Sequence, residues 1–113
     1  MRAVNGTSGA VLAADLRVAD TLLARTRGLL GRSHLPRGEG LLISPCKGVH
    51  TFFMRFPIDV IFLDKDDRVI RIGEHLQPYR VTGLHLGCRR VIELPAGTVS
   101  ASDTAVGQVI LIG

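Results

Sequence analysis

A chain of 113 residues, 46% of them hydrophobic, can bury roughly two-thirds of the surface its unfolded form exposes and is too apolar to remain disordered. Its net charge of +4 is spread along the sequence, with only Arg89-Arg90 adjacent, and its aromatic content is 4% with no Trp. Both features speak against a dedicated nucleic-acid surface. No apolar run approaches the ~20 residues that span a bilayer, and no repeat or low-complexity linker divides the chain, so one domain over residues 1–113 is expected.

The start, Met1-Arg2-Ala3-Val4-Asn5-Gly6, lacks the apolar core of a secretory signal. If Met1 is the native start, the expected location is cytoplasmic. The 13 glycines punctuate short segments, a pattern that suits short strands and tight turns. Residues 10–18 read as a strand entered through a turn at Gly6 to Gly9. The period then changes: Val18, Leu22, Leu29 and Leu30 recur near helical spacing and Leu23 widens the face. Asp20 is a plausible N-cap and Gly31 a plausible stop, which predicts a helix over about 20–30.

Pro36, Gly38 and Gly40 mark a loop before a short buried strand at Leu41-Leu42-Ile43, ended by Pro45. Residues 50–54 read as a second extended piece, ended by Pro57. The run from Ile58 to Leu63 is the clearest strand. Asp64-Lys65-Asp66-Asp67 turns it back through Arg68-Val69-Ile70-Arg71-Ile72 as a hairpin. Val91-Ile92-Glu93-Leu94 is another strand, stopped by Pro95 and Gly97, and residues 108–112 close the chain as the last. The expected fold class is α+β: a compact β-rich domain, a curved sheet or small barrel of about seven short strands with one main helix.

The densest group of chemically active side chains spans residues 46–59, where Cys46, His50, Thr51, Met54, Arg55 and Asp59 fall within fourteen positions. In an extended segment His50, Phe52 and Met54 share one face, and Thr51 and Phe53 the other. Asp59 opens the strongest strand, on the face of Ile61 and Leu63. It is either a general acid/base or ligand clamp with His50, or a turn residue after Pro57 bonded to nearby backbone. Glu93, mid-strand between Ile92 and Leu94, is costly without a partner. Arg89, Arg90 or Arg71 would make it a structural ion pair; otherwise it is a pocket carboxylate.

Cys46, His50 and Met54 form C-x3-H-x3-M, and soft ligands of this kind suit copper. A blue-copper site needs a second His and zinc a fourth ligand, and nothing places His34, His75 or His85 beside them, so the spacing is a weak metal signal. Cys46 and Cys88 belong to no C-x-x-C pair and read as reduced, partly buried thiols. No phosphate loop, dinucleotide fingerprint or G-x-S-x-G elbow is present.

The chain resembles the domain of unknown function 192 family. Thr26-Arg27-Gly28-Leu29-Leu30-Gly31-Arg32 looks like its R-x-R-G-L-M-x-R segment, and residues 50–64 look like its central F/H-x-M-x-x-x-P-I/L-D-x-x-F-L/I-D signature. Leu76-Gln77-Pro78, Val91-Ile92-Glu93-Leu94-Pro95-Ala96-Gly97 and Gly107-Gln108-Val109-Ile110 match later elements in order. The resemblance implies an α+β fold with a curved sheet, directs attention to Met54, Asp59, Pro78 and Glu93, and supplies no reaction. Relatives often carry Trp in place of Phe53 and Asp in place of Gln108, only some carry Cys46, and many are exported or lipid-anchored. The expected function is a small-molecule binding domain whose polar pocket is formed by His50, Thr51, Asp59 and Glu93 against Phe53 and Met54. The alternatives are a small hydrolase-type enzyme with Asp59 or His50 as general base, and a protein-interaction module using Phe52, Phe53 or Phe56. The cofactor, if any, is not specified by the sequence.

Overall fold

The computed structural model describes residues 1–21, 34–46, 56–77 and 85–113. In chain order the described elements are β1 (Ala3–Asn5), β2 (Val11–Ala13), β3 (Asp15–Ala19), β4 (Glu39–Ile43), β5 (Ile58–Leu63), β6 (Val69–Leu76), β7 (Arg90–Pro95), α1 (Thr98–Ala101) and β8 (Ile110–Ile112). They form a three-stranded sheet in the order β2-β1-β8 and a five-stranded sheet in the order β3-β4-β7-β5-β6. Only β3 and β4 run parallel; the other neighbours are antiparallel.

The α+β, mostly β class is therefore correct, and the described strands form two sheets rather than a closed barrel. The stretch 10–18, expected as one strand, is two: the chain bends at Ala14 and passes from the small sheet into the large one. The helix expected over 20–30 lies, from residue 22 onward, outside the described residues, as does the extended piece at 50–54. Two elements were not foreseen. β1 pairs on both edges with β2 and β8, and α1 is a single turn following Gly97, which supplies the left-handed φ of 95° that Gly adopts without a Cβ penalty.

Burial explains why β5 is apolar throughout. All six of its residues are buried, because the five-stranded sheet is covered on both faces. On one face Ile61, Leu63, Ile92, Leu94, Leu42 and Leu16 pack against Ala3, Leu12, Ala13, Val99 and Ile110. On the other, Ile58, Val60, Phe62 and Val91 cluster with Leu35 and Cys88, with Leu41, Cys46, Phe56, Ile70 and Leu76 packed around them. The β5–β6 hairpin is closed as its acidic turn suggested: Asp64 Oδ1 accepts the amides of Asp66 and Arg68 at 2.8 and 2.9 Å. Asp67 then forms a two-point pair with Arg90, with Arg90 Nε donating to Asp67 Oδ1 at 3.0 Å and Nη2 to Oδ2. That contact ties the hairpin turn to the start of β7.

The two sheets approach closely at Gly40. A Cβ there would lie 2.9 Å from Leu94 Cδ2, 3.1 Å from the Ala13 Cβ and 3.2 Å from Leu16 Cδ1. Gly40→Ala should therefore cost about 1–3 kcal/mol as overpacking, read as a lower urea midpoint at unchanged slope. An unshifted midpoint would show that the layers separate there without strain.

Candidate functional site

Two carboxylates sit inside the five-stranded sheet, and the strand register sends them to opposite faces. Asp59 is paired with Leu94, while Glu93 is paired with Val60 on β5 and Leu41 on β4. Because side chains alternate along a strand, Asp59 points with Ile61 and Leu94 toward the small sheet. Glu93 points with Val60 and Val91 into the other cluster. A single pocket built from both carboxylates, expected from sequence, is therefore not what the sheet forms.

Asp59 has no solvent exposure, and three backbone amides use its oxygens. His75 donates to Oδ1 at 2.9 Å, and Gly97 and Val99 donate to Oδ2 at 3.1 and 2.9 Å. The first bond fixes a bulge: β5 advances from Ile58 to Val60 while β6 runs from Leu76 to Gly73, and the residue absorbing the excess, His75, has φ of 50°. The other two satisfy the first amides of α1, which has no side-chain cap of its own. A carboxylate so occupied acts as a tether between three elements. With three accepted bonds and no solvent exposure it presents little to a substrate, and its geometry fits a structural role better than a general base.

Glu93 is the opposite case. It is 3% exposed, and its Oε1 has no hydrogen-bond partner among the described residues. The expected ion pair does not form: Arg90 is engaged by Asp67, while Arg71 and Arg89 are exposed. Burial without a compensating charge pushes the Glu93 carboxyl up to about 7. Its immediate surroundings are aliphatic, with Val60 and Leu41 directly opposite on the flanking strands.

His85, raised in the sequence only as a possible additional metal ligand, belongs to the same face. Its ring meets Phe62 edge-on, with centroids 4.7 Å apart and planes at 72°. Phe62 lies beside Val60 in the Glu93 cluster. The His85 Nε2 is also buried and without a hydrogen-bond partner among the described residues. The two orphaned polar atoms thus stand over one apolar floor. Cys88 borders it; its thiol donates to the carbonyls of Cys46 and Arg90 at 3.2 and 3.4 Å. Cys46 is anchored by its amide to the Arg89 carbonyl at 2.9 Å.

His50, Thr51, Phe53 and Met54 lie outside the described residues, as does Pro78. Of the C-x3-H-x3-M set only Cys46 is described. Among the described residues no group of three His, Cys, Asp or Glu side chains is gathered as metal ligands would be. No described helix is long and apolar enough to cross a membrane. An open cleft of about 180 Å³ runs between β2 and α1, lined by Arg37, Thr98 and Ser102 among others. The Thr98 and Ser102 hydroxyls there are already donated to backbone carbonyls at 2.8 Å.

The family model of DUF192, described as Uncharacterized ACR, matches residues 3–112. The chain belongs to this family. A UPF0127 protein of Thermococcus sibiricus is 30% identical over 112 residues, 95% of this chain and 71% of its own length. A UPF0127 protein of Pyrococcus furiosus is 31% identical over 110 residues, 93% of this chain and 92% of its own. The crystal structure of a protein of unknown function from Novosphingobium aromaticivorans superposes with a TM-score of 0.87 at 24% identity, covering 99% of this chain and 84% of that one. The DUF192 fold is thus shared, and these relatives are themselves uncharacterised. In this member of DUF192, the late motif residue Glu93 is buried with its Oε1 unpartnered among the described residues, whereas Asp59 of the central motif ties three elements of the fold together.

Proposed function

We propose that this protein is a small-molecule binding domain and that the Glu93 face of the five-stranded sheet is where the ligand sits. The observation that carries this reading is Glu93, 3% exposed on the face of an apolar cluster, whose Oε1 has no hydrogen-bond partner among the described residues. Folded proteins satisfy the great majority of buried polar atoms, and an orphan calls for a reason. A ligand that completes the hydrogen bonding supplies one. His85 Nε2, orphaned on the same face, supports the same reading independently. Asp59, which the sequence grouped with Glu93, belongs to the scaffold beneath this site.

Acid–base catalysis is the second reading, and one observation favours it. A carboxyl held at about 7 is poised to exchange protons near neutral pH. In that case Glu93 takes the general-base role that the sequence offered to Asp59 or His50.

The test begins with untagged wild-type protein and Glu93→Gln purified in parallel. Each is denatured, the supernatant is analysed by mass spectrometry, and metal content is measured by elemental analysis. A small molecule released in near-stoichiometric amount from wild type and absent from the folded variant is expected. Equal retention by both proteins removes Glu93 from the binding site. Stoichiometric copper or zinc in both would replace this reading with a metal site built on Cys46, His50 and Met54.

A further inference from the structure

Resting on the binding reading above, we infer that the ligand of the Glu93 face is a small organic cation, an amine whose ammonium group seats on Glu93 and whose second polar group reaches His85. The argument starts from the choice of residue. A buried position that only needed a hydrogen bond would be served by Gln, without the cost of a group that must ionise in an apolar surround. A carboxyl there is useful when the ligand brings the opposite charge, since attraction between the two is strong where water is excluded. An anionic ligand meets the reverse situation and is repelled.

The charged groups of the protein do not compete for Glu93 among the described residues. From β4 and β5 the face receives Leu41, Ile58, Val60 and Phe62, and from β6 Ile70 and Leu76. Among the described residues the titratable groups at this face are His85, Cys46 and Cys88, and the Cys88 thiol is occupied by carbonyls. Arg90, on the same strand as Glu93, is held by Asp67.

Register also places the two polar groups near one another along the face. Glu93 lies opposite Val60, and Phe62, which carries His85 on its ring, lies opposite Val91. Glu93 and Phe62 are therefore diagonal neighbours, spaced roughly 7–8 Å. A short amino alcohol, with an ammonium at one end and a hydroxyl at the other, carries the two groups that this pairing calls for.

Four probes decide the matter: 4-amino-1-butanol, 1,4-butanediol, 4-hydroxybutanoate and n-butylamine, each titrated into isotope-labelled protein at matched ionic strength and followed by amide chemical shifts. At pH 8 the amino alcohol should give saturable shifts localised to Val60, Phe62, Val91 and Glu93. The diol and the hydroxy acid should give none. Glu93→Gln should abolish the response. His85→Ala should weaken the amino alcohol several-fold while leaving n-butylamine, which has no hydroxyl, unchanged. Lowering the pH from 8 to 5.5 should weaken the amine by tenfold or more, because the carboxyl must first lose its proton. Binding of the diol as tightly as the amine, with dependence on Glu93, overturns the cation and leaves the binding face intact. No localised shift with the amines also overturns it, and the copurification experiment then judges the binding face separately.

Discussion

Glu93→Gln should stabilise the protein at pH 8 by on the order of 3 kcal/mol and leave it unchanged near pH 4.5. The carboxyl is raised from 4.5 to about 7 by burial alone. Between those values the folded chain holds a proton that the unfolded chain has released, so wild-type stability falls as pH rises through this window. Below 4.5 both states are protonated and the group contributes no difference. Above 7 both are ionised, and the whole cost of a buried, unpaired carboxylate is present. Gln keeps the shape and removes the titration. For a domain of this length the gain corresponds to a melting temperature higher by roughly 10 °C or more at pH 8. The measurement is the difference between the two proteins across pH 4 to 9, which cancels every other titrating group. Parallel curves would show that Glu93 ionises freely in the folded state. A protein that becomes more stable when a side chain is neutralised is retaining that side chain for something other than folding, and the ligand experiments give the reason.

The sequence made much of the scaffold legible because local rules and tertiary packing agree there. The run from Ile58 to Leu63, the Asp64 turn and the return through Val69 form the expected hairpin. Gly-Pro punctuation marked the ends of β4 and β7. What it could not show depends on pairing between distant segments. β1 is three residues long and is stabilised by partners on both sides, with no periodicity of its own. The break at Ala14 is invisible because no Gly or Pro marks it; only the change of sheet makes it a boundary. Asn5 is fully buried, yet nothing near it in sequence shows that Thr104 and Gln108 will accept from its Nδ2 at 3.2 and 2.9 Å. The same limit divides the candidate site. Asp59 and Glu93 were each recognised as carboxylates in apolar strands, but a one-residue offset in register decides whether two such groups share a face. His85 could be named from sequence only as a possible additional metal ligand, because its place on this face depends on Phe62 beneath it and not on its neighbours along the chain.

Asp59→Asn should act in the opposite sense to the same acid-to-amide change at Glu93. The carboxylate of Asp59 accepts three amide protons, from His75, Gly97 and Val99. Bonds of this charge-assisted kind are roughly twice as strong as neutral ones. An Asn has one acceptor oxygen, and its NH2 group faces at least one N–H donor, so two like dipoles meet in a site without water. Each stranded donor costs about 1–3 kcal/mol when buried. The His75 amide lies beside exposed residues and can turn to water, which leaves most of the penalty on Gly97 and Val99. The expected loss is about 3 kcal/mol, and Asp59→Ala, which strands all three donors, should lose about 4 or more. Against a total stability of roughly 5–15 kcal/mol the alanine variant is best read by urea titration at low temperature, whereas the asparagine variant should still fold. Hydrogen exchange locates the damage: the amide of Val99 should lose protection first, while those of Ile61 and Ile92 open only with the whole sheet. If Asp59→Asn were as stable as wild type and instead lost ligand, Asp59 would be a binding residue and not a tether. The geometry predicts the reverse: the amide at 59 weakens the fold and leaves the Glu93 face able to bind, while the amide at 93 strengthens the fold and empties that face.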